Sequence, residues 1–318
     1  MIGSWLRLRR AGIAGINRRN AGLIMPHNRR AQYPLVDDKL RTKELALEHG
    51  IPVPALYGVI RTPHDIRDLP AIVADRKDFV VKPAHGSQGD GIMVIVDRTR
   101  RGFYRTAGGR VVDSDGMSHH LSNALNGQYS LGGQPDHVLV EYRVDFDRIF
   151  DGITFQGVPD IRIVVYRGFP LMAMVRLPTK DSDGKANLHQ GAVGAGLDLA
   201  TGKTLTGVVG TRSVDEHPDT GEPIAGVSLP YWRDMLLTSA RCFDITGLGY
   251  LGVDLVLDAK HGPLVLELNA RPGLNIQLAN RDGILRRVAA IDALDRFGAE
   301  AEERVETAVA ALGPSGAH

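Results

Sequence analysis

The sequence predicts an α+β protein built on antiparallel sheets, and three observations support this fold class. First, strand-like and helix-like segments are mixed without the regular alternation of a doubly wound parallel sheet. Second, two apolar segments, 251–257 and 264–269, flank the turn DAKHGP, which is typical of a hairpin. Third, the strands FVVK (79–82) and 92–96 are joined by a glycine-rich loop and not by a helix.

Length and composition predict about two lobes in a globular chain. The 318 residues correspond to roughly two domains of about 150 residues each. With 43% hydrophobic and 24% charged residues, disorder is excluded as the main state. The single cysteine, Cys242, excludes an intramolecular disulfide and a cysteine-based zinc cluster. No apolar run approaches the roughly 18–20 residues that cross a bilayer, so the expected location is cytoplasmic.

The other elements follow from apolar periodicity and from glycine and proline positions. A short helix is predicted over 38–49, because Gly50, Pro52 and Pro54 end it. Residues 181–228 are rich in Gly, Asp and Thr and are predicted to form loops with short strands. Further strands are expected around 138–142, 161–166 and 171–176, and helices over 231–245 and 284–312.

Arginine is concentrated in a predicted N-terminal arm, residues 1–36. This arm carries seven arginines and no acidic residue, although the whole chain has a formal net charge of +1. Three interpretations are open: the arm binds an anionic partner, targets an organelle, or packs on the protein's own body. Because the arm has one serine, Ser4, a packed arm or one facing a protein or membrane-associated partner is favoured. The near-neutral remainder argues against nucleic acid.

Two acidic residues are predicted to face each other across the 251–269 hairpin. If DAKHGP turns between its lysine and histidine, residues whose numbers sum to 521 are opposite, which pairs Asp254 with Glu267. Asn269 then shares the face of Glu267. Opposed Cβ atoms lie about 4.5–5.5 Å apart, and two carboxylates with an amide oxygen suit a hard cation such as Mg²⁺. The alternative interpretation, which the segment supports equally well, is that the two acidic residues are solvated at the protein surface.

A glycine loop is the second candidate site. Lys82 ends the apolar strand, and HGSQGDG follows it with glycines at positions 86, 89 and 91. Glycines let backbone N–H groups approach phosphate oxygens, and a lysine adds a mobile positive charge. An ordinary hairpin loop is the alternative, but an unpaired lysine in an apolar strand would be costly. The loop is not a P-loop, because GxxxxGK[ST] is absent.

Four segments, in this order, resemble the ATP-grasp carboxylate–amine ligases. They are DDKLRTKELALEHGIPVP, KPAHGSQGDG, DIRIVVY with NLHQGA, and GVDLVLD with LELNARPGL. The chain is similar to the branch of α-L-glutamate ligases that modify a ribosomal protein, and to glutamate ligase-like relatives, over residues 37–290. The resemblance implies an ATP-grasp fold, in which two α+β lobes with antiparallel sheets grip ATP, with a shortened N-terminal region.

The resemblance also implies domain boundaries. The arm would span 1–36, the catalytic domain 37–290, and a C-terminal helix with a flexible tail 291–318. Within the catalytic domain, a small ATP-binding lobe would cover 75–140 and a large lobe 141–290.

Site residues are implied by position in the four segments. The implied ATP-binding residues are Lys39, Lys82, His85, Gly86, Ser87, Gln88, Gly89, Gly91, Glu141 and Tyr142. The implied catalytic residues, around the γ-phosphate and acyl phosphate and in an active-site loop, are Arg162, Arg176 and Asn187. The implied ligands of Mg²⁺, with Mn²⁺ as second candidate, are Asp254, Glu267 and Asn269.

The implied activity is ATP-dependent formation of an amide or peptide bond through an acyl phosphate. Glutamate or another amino acid is one expected substrate, and a peptide or protein is the acceptor. Positioning and charge neutralisation would carry the catalysis. The alternative is a non-catalytic ATP-binding module that regulates a partner through the arm. The substrate stays open, because only 38 residues precede Lys39 where family members carry an α/β domain. Arg271 stands in NARPGL where family members commonly have a small residue, and it is a candidate for binding an acidic substrate.

Overall fold

The computed structural model describes residues 7–86, 89–99, 101–294 and 300–313. The chain divides into two units, and each contains its own sheet. The larger unit comprises Met1–Asp37, Leu45–Pro52 and Phe146–His318, and the smaller comprises Asp38–Glu44 and Val53–Asp145. Both sheets are antiparallel and carry helices, which confirms the predicted α+β class. None of the helices in the described ranges is long and apolar enough to cross a membrane.

The smaller unit is built on a six-stranded sheet in the order β1-β6-β2-β3-β4-β5. Its strands are β1 (Leu56–Ile60), β2 (Phe79–Pro83), β3 (Met93–Arg98), β4 (Tyr104–Thr106), β5 (Val111–Val112) and β6 (Val138–Glu141). One face of β2 and β6 packs into a core with the helix Ser114–Leu125, whose first turn is capped by the Asp113 side chain. The predicted unit of strand, glycine loop and strand is confirmed as β2 and β3. Its other helical segments are Pro63–Asp68, Leu69–Ile72 and Leu131–Gly133.

The opposite face of β2 and β6 carries polar side chains beside a small apolar cluster. Leu139 and Ala84 pack there against Leu40 of the helix Lys39–Glu48, which lies where the sequence predicts it. Lys82 is the cross-strand partner of Leu139. Because side chains alternate along a strand, Glu141 shares this face with both residues.

The larger unit is built on a seven-stranded sheet in the order β11-β10-β9-β8-β7-β12-β13. Its strands are β7 (Asp160–Tyr166), β8 (Phe169–Leu177), β9 (Val193–Leu197), β10 (Thr204–Val209), β11 (Arg212–Val214), β12 (Tyr250–Asp258) and β13 (Gly262–Asn269). Strands β9 to β11 lie in the region predicted to hold loops and short strands. The central strands β7, β8 and β12 are almost entirely buried, so their polar residues must find partners inside the unit.

The hairpin of β12 and β13 has the predicted register at the end that lies away from the turn. Asp254 pairs with Glu267, and Gly252 pairs with Asn269. A bulge then shifts the register, so that Leu255 pairs with Val265 and Leu266 is the extra, half-buried residue. Next to the turn the numbers of paired residues sum to 520, so the turn centres on Lys260 and not between Lys260 and His261 as the prediction assumed.

Helices complete the larger unit. They are Ile16–Arg19, Asn20–Ile24, Met25–His27, Pro34–Asp37, Trp232–Thr246, Ile276–Asn280, Ile284–Asp292 and Ala301–Leu312, with shorter turns at Arg30–Gln32, Arg148–Ile153 and Leu188–Gln190. The predicted helix 231–245 is confirmed, and it buries Cys242 completely. The C-terminal segment contains two helices rather than one, and residues 295–299 lie outside the described ranges.

The described part of the arm packs on the larger unit. The Ala14 amide donates to the Gln277 side-chain oxygen at 2.8 Å, and the Gln277 side chain donates back to the Ala14 carbonyl at 3.1 Å. The Leu285 amide donates to the Gly12 carbonyl at 3.0 Å. These bonds confirm the packed interpretation of the arm.

Candidate active site

In the smaller unit, two lysines contact one glutamate on the face of the sheet that packs against the helix Lys39–Glu48. Nζ of Lys82 lies 2.5 Å from Oε1 of Glu141, and Nζ of Lys43 lies 3.0 Å from Oε2. All three side chains are less than a tenth exposed. Lys43 also donates to the Pro54 carbonyl. Each carboxylate oxygen of Glu141 thus forms an ion pair with a different lysine.

This cluster of Lys43, Lys82 and Glu141 places two positive charges beside one negative charge. Burial disfavours the Glu141 carboxylate, but the charges of Lys82 and Lys43 outweigh burial and lower its pKa. Burial also lowers the pKa of Lys43 from 10.5 to about 8, although Glu141 opposes this. The excess buried positive charge makes the cluster suited to an anionic group such as phosphate.

The glycine loop begins beside this cluster in the chain and is fixed at its start. Lys39 donates from Nζ to the Gly86 carbonyl, and its backbone amide donates to Ala84 at 3.0 Å. Gly89 and Gly91 have φ of 83° and 76°, and a Cβ at Gly91 would lie 2.5 Å from the Tyr129 ring. Ser87 and Gln88, the other predicted loop contacts, lie outside the described residues.

A buried carboxylate anchors the same loop. Asp136 accepts hydrogen bonds from Nδ1 of His85 at 2.7 Å, from the His85 amide at 2.9 Å and from the Ser130 hydroxyl at 2.5 Å. Burial disfavours its charged form, but these hydrogen bonds outweigh burial and lower the pKa of Asp136. The His85 ring is 42% exposed, so Asp136 orients the ring by one nitrogen and leaves the rest accessible. The amide of Tyr142, another implied ATP-binding residue, donates to the Ala55 carbonyl at 2.8 Å.

In the larger unit, two arginines converge on one aspartate inside the sheet. Arg162 donates from Nε and Nη2 to the two carboxylate oxygens of Asp254 at 2.7 and 2.5 Å. Arg176 donates from Nη2 to Asp254 at 2.8 Å and to Asp160 at 2.6 Å. The register explains the arrangement, because Arg162 is the cross-strand partner of Asp254, and Arg176 is that of Asp160.

The pKa values of the two carboxylates in this network are shifted in opposite directions. Burial disfavours the charge on Asp254, but Arg162 and Arg176 outweigh burial and lower its pKa to about 2. Burial raises the pKa of Asp160 to about 6, and Asp254 adds to the rise, although Arg176 opposes it. For Arg176, burial is outweighed by Asp160 and Asp254, which raise its pKa. Asp254 therefore stays ionised at neutral pH inside the sheet.

The proposed metal ligands are brought to one edge of this network. Asp254 faces Glu267 across the hairpin, and none of the described residues hydrogen-bonds to the half-buried Glu267 carboxylate. Asn269, on the same face of β13, accepts from the Arg271 amide at 2.8 Å. Within the described ranges there is no group of three or more His, Cys, Asp or Glu that could hold a metal. Two carboxylates and an amide oxygen still fit Mg²⁺, which takes its remaining ligands from substrate phosphates and water.

Asn187 plays a local role in this structure. Its side chain accepts from the His189 amide at 3.0 Å and so begins the turn Leu188–Gln190. No hydrogen bond joins it to Arg162, Arg176 or Asp254 among the described residues. Its assignment to the active-site loop therefore stays a prediction.

Three charged residues of these clusters were absent from the predicted site. Lys43 is one helical turn from Lys39, so an i, i+4 spacing was the available signal. Asp160 is the first residue of the DIR segment, and strand pairing with Arg176 would have revealed it. Asp136 had no local signal, because its partner His85 is 51 residues away.

The two antiparallel α+β units, with their lysine, glycine-loop and carboxylate groups, have the architecture of the ATP-grasp class. The model of the family described as "Sugar-transfer associated ATP-grasp" matches residues 18–293. The chain belongs to this family, which confirms the ATP-grasp resemblance.

Curated relatives and solved structures show further similarity. A probable alpha-L-glutamate ligase of Enterobacter sp. is 29% identical over 237 residues, 74% of this chain and 56% of the relative. A ribosomal protein bS6–L-glutamate ligase of Shigella boydii is 28% identical over the same shares of the two chains. The chain thus spans little more than half of these relatives. The structure of D-alanine–D-alanine ligase from Bacillus anthracis is 14% identical, with a TM-score of 0.44 over 88% of this chain and 68% of that one.

Proposed function

We propose that this chain is an ATP-dependent carboxylate–amine ligase that forms an amide or peptide bond through an acyl phosphate. The observation that carries the proposal is the pair of arginines on Asp254, opposite Glu267. A protein that only binds nucleotide has no need for two largely buried guanidinium groups beside two opposed carboxylates. Phosphoryl transfer does need them, because charge on the moving group must be neutralised.

Each group has a distinct part in this proposal. Lys39, Lys82 and the glycine loop bind the nucleotide phosphates, and Lys43 adds positive charge beside them. Glu141 holds the ammonium group of Lys82 in place through their ion pair, and Tyr142 follows Glu141 in the chain. Asp254, Glu267 and Asn269 would hold Mg²⁺, with Mn²⁺ as the second candidate. When bound, the metal neutralises phosphate charge and orients the phosphates.

The reaction needs no nucleophile from the protein. A substrate carboxylate oxygen bonds to the γ-phosphorus, and the bond to ADP breaks. An amine nitrogen then bonds to the acyl carbon, phosphate leaves, and the amine proton passes to solvent or phosphate. Arg162 and Arg176 would turn from Asp254 towards the oxygens that gain charge in both steps.

The substrates belong to the proposal as well. Relatives named as glutamate ligases, one of them acting on a ribosomal protein, support glutamate or another amino acid as one substrate and a peptide or protein as acceptor. The assignment of 37–290 as the catalytic domain is part of the same proposal. A cytoplasmic location stays a prediction, which fractionation of cells that express a tagged chain tests.

The test is ADP release from Mg²⁺ and ATP across single amino acids and short peptides, followed by mass spectrometry of the products. We expect ADP release that depends on one amino acid, with a product heavier by one residue. The matched control is the Asp254→Asn variant, which should give neither. Tight ATP binding without ADP under any condition would contradict the ligase and favour a regulatory ATP-binding module.

A further inference from the structure

The N-terminal arm holds the chain segment that follows the proposed metal ligands. Asn28, which is 4% exposed, donates from its side chain to the carbonyls of Tyr250 and Ala270 at 2.8 and 2.9 Å. Its side-chain oxygen accepts from the Tyr250 amide at 2.8 Å. The Arg19 guanidinium donates to the Pro272 carbonyl at 3.0 Å. The arm therefore fixes the backbone on both sides of Arg271.

The side chain of Arg271 is held by the same arm. Its guanidinium carbon lies 4.6 Å from the centre of the Tyr33 ring, a cation–π distance. Its Nη2 lies 3.9 Å from the carboxylate of Asp37, the residue that follows the arm, and the side chains of Arg271 and Asp37 are both more than half exposed. An exposed ion pair at this distance contributes little and leaves most donors of the guanidinium available to another anion.

Position and charge indicate what that anion is. Arg271 follows Asn269 by two residues, and its backbone amide is bonded to the Asn269 side chain. Arg162 and Arg176 are already paired with buried carboxylates in this structure, whereas Arg271 is accessible and kept in one orientation by an aromatic ring. A planar guanidinium fixed in this way is matched to a carboxylate, which it binds through two parallel hydrogen bonds.

We propose that Arg271, held against Tyr33 of the arm, binds the side-chain carboxylate of an acidic amino-acid substrate and makes the site selective for it. This inference rests on the proposed ligase function. It assigns the arm to substrate recognition within the chain, through Tyr33 and the backbone contacts of Asn28 and Arg19.

L-Glutamate and L-glutamine provide the test, because they are similar in size and differ only in one side-chain group, an anionic carboxylate in glutamate and a neutral carboxamide in glutamine. Each is titrated calorimetrically into the full chain saturated with Mg²⁺ and a non-hydrolysable ATP analogue. We expect the wild type to prefer glutamate by about tenfold or more, as for a charge-assisted hydrogen bond. Arg271→Ala should weaken glutamate binding about tenfold to a hundredfold and abolish the preference.

Three further variants separate positioning from charge. Arg271→Lys keeps the charge but loses the planar fork, so it should retain only part of the preference. Tyr33→Leu removes the ring and should weaken glutamate binding about twofold to fivefold. Arg30→Ala removes an exposed arginine of the arm and serves as the matched control, with glutamate binding unchanged. Binding of the ATP analogue should stay constant throughout.

The outcomes of this test distinguish a failure of the Arg271 assignment from a failure of the proposed ligase function. Equal binding of the two amino acids, or a preference that survives Arg271→Ala, would overturn the assignment of Arg271. A chain that binds the nucleotide analogue but not glutamate would also overturn it, while leaving a ligase with another substrate. A chain that does not bind the nucleotide analogue would overturn both.

Discussion

Replacement of Lys43 by methionine tests the charge balance of the buried cluster of Lys43, Lys82 and Glu141. Methionine preserves the apolar stem and removes the ammonium group, while Glu141 keeps Lys82 at 2.5 Å. Because the cluster then holds one charge of each sign, we expect the variant to be more stable than the wild type at pH 7.

The magnitude follows from the pKa and the lost hydrogen bond. Burial lowers the pKa of Lys43 from 10.5 to about 8. This difference of about 2.5 disfavours the ionised form by about 3.5 kcal/mol, at about 1.4 kcal/mol for each pH unit. Methionine also loses the bond to the Pro54 carbonyl, which costs about 1 kcal/mol. The expected gain in the free energy of unfolding is therefore about 2.5 kcal/mol.

The same pKa predicts a pH dependence with a definite sign. Between pH 8 and 10.5, unfolded Lys43 keeps a proton that the folded side chain has released. The unfolded state then binds more protons, so the contribution of Lys43 to the free energy of unfolding rises with pH across this window. Below pH 8 the folded side chain is charged and its cost is fully present. Lys43→Met should lack this rise.

Urea denaturation followed by circular dichroism, at pH 7 and pH 9.5, measures both effects. Lys77→Met is the matched control, because Lys77 is 79% exposed and its nearest ion-pair contact is 3.9 Å away. The control should match the wild type at both pH values. A less stable Lys43→Met variant at pH 7, or one with the full wild-type rise, would refute the charge-balance argument.

Three other predictions concern the site and the arm. Asp254→Asn and Glu267→Gln should each abolish turnover and only weaken ATP binding, since they remove metal ligands rather than nucleotide contacts; ADP release and nucleotide titration measure the two effects. Lys82→Ala should raise the KM for ATP at least tenfold, because Glu141 loses its 2.5 Å partner and the phosphates lose a cation; steady-state kinetics measures it. Asn28→Ala should lower the free energy of unfolding by about 2–4 kcal/mol, because it removes three buried hydrogen bonds; urea denaturation measures it.

Each of these predictions has a result that would contradict it, and the lysine and asparagine variants have matched controls. Full activity in both carboxylate variants would exclude the metal assignment, and an unchanged KM for ATP in Lys82→Ala would exclude its phosphate role. Lys77→Ala, on an exposed side chain, controls the lysine variant. Asn17→Ala, at an exposed position of the arm, controls the Asn28 variant. Equal losses of stability in the two asparagine variants would contradict the stabilising role of the Asn28 hydrogen bonds.

Features that depend on residues close together in the chain were predictable. The pairing of Asp254 with Glu267 was predicted from strand alternation and an assumed turn centre. The turn centres on Lys260 instead, and the bulge at Leu266 compensates for this difference, so that the predicted pair is present. The helix at Lys39–Glu48 and the glycine loop after Lys82 were equally evident from local residue types. Strands β1, β4 and β5 and the helix Ser114–Leu125 were not predicted, because their short or mixed patterns carry weak periodicity.

The amino-acid sequence by itself determined the α+β class, the family and the candidate carboxylates, because alternation, glycine positions and motif order are local properties. Only the tertiary structure decided the partners of those groups. Arg162 reaches Asp254 across 92 residues, and Asn28 reaches Tyr250 across 222. Contacts at such separations depend on strand order and packing, which local propensity does not encode. For the same reason the sequence could not choose between a packed arm and one that faces a partner, and the structure shows that the described part of the arm packs on the larger unit.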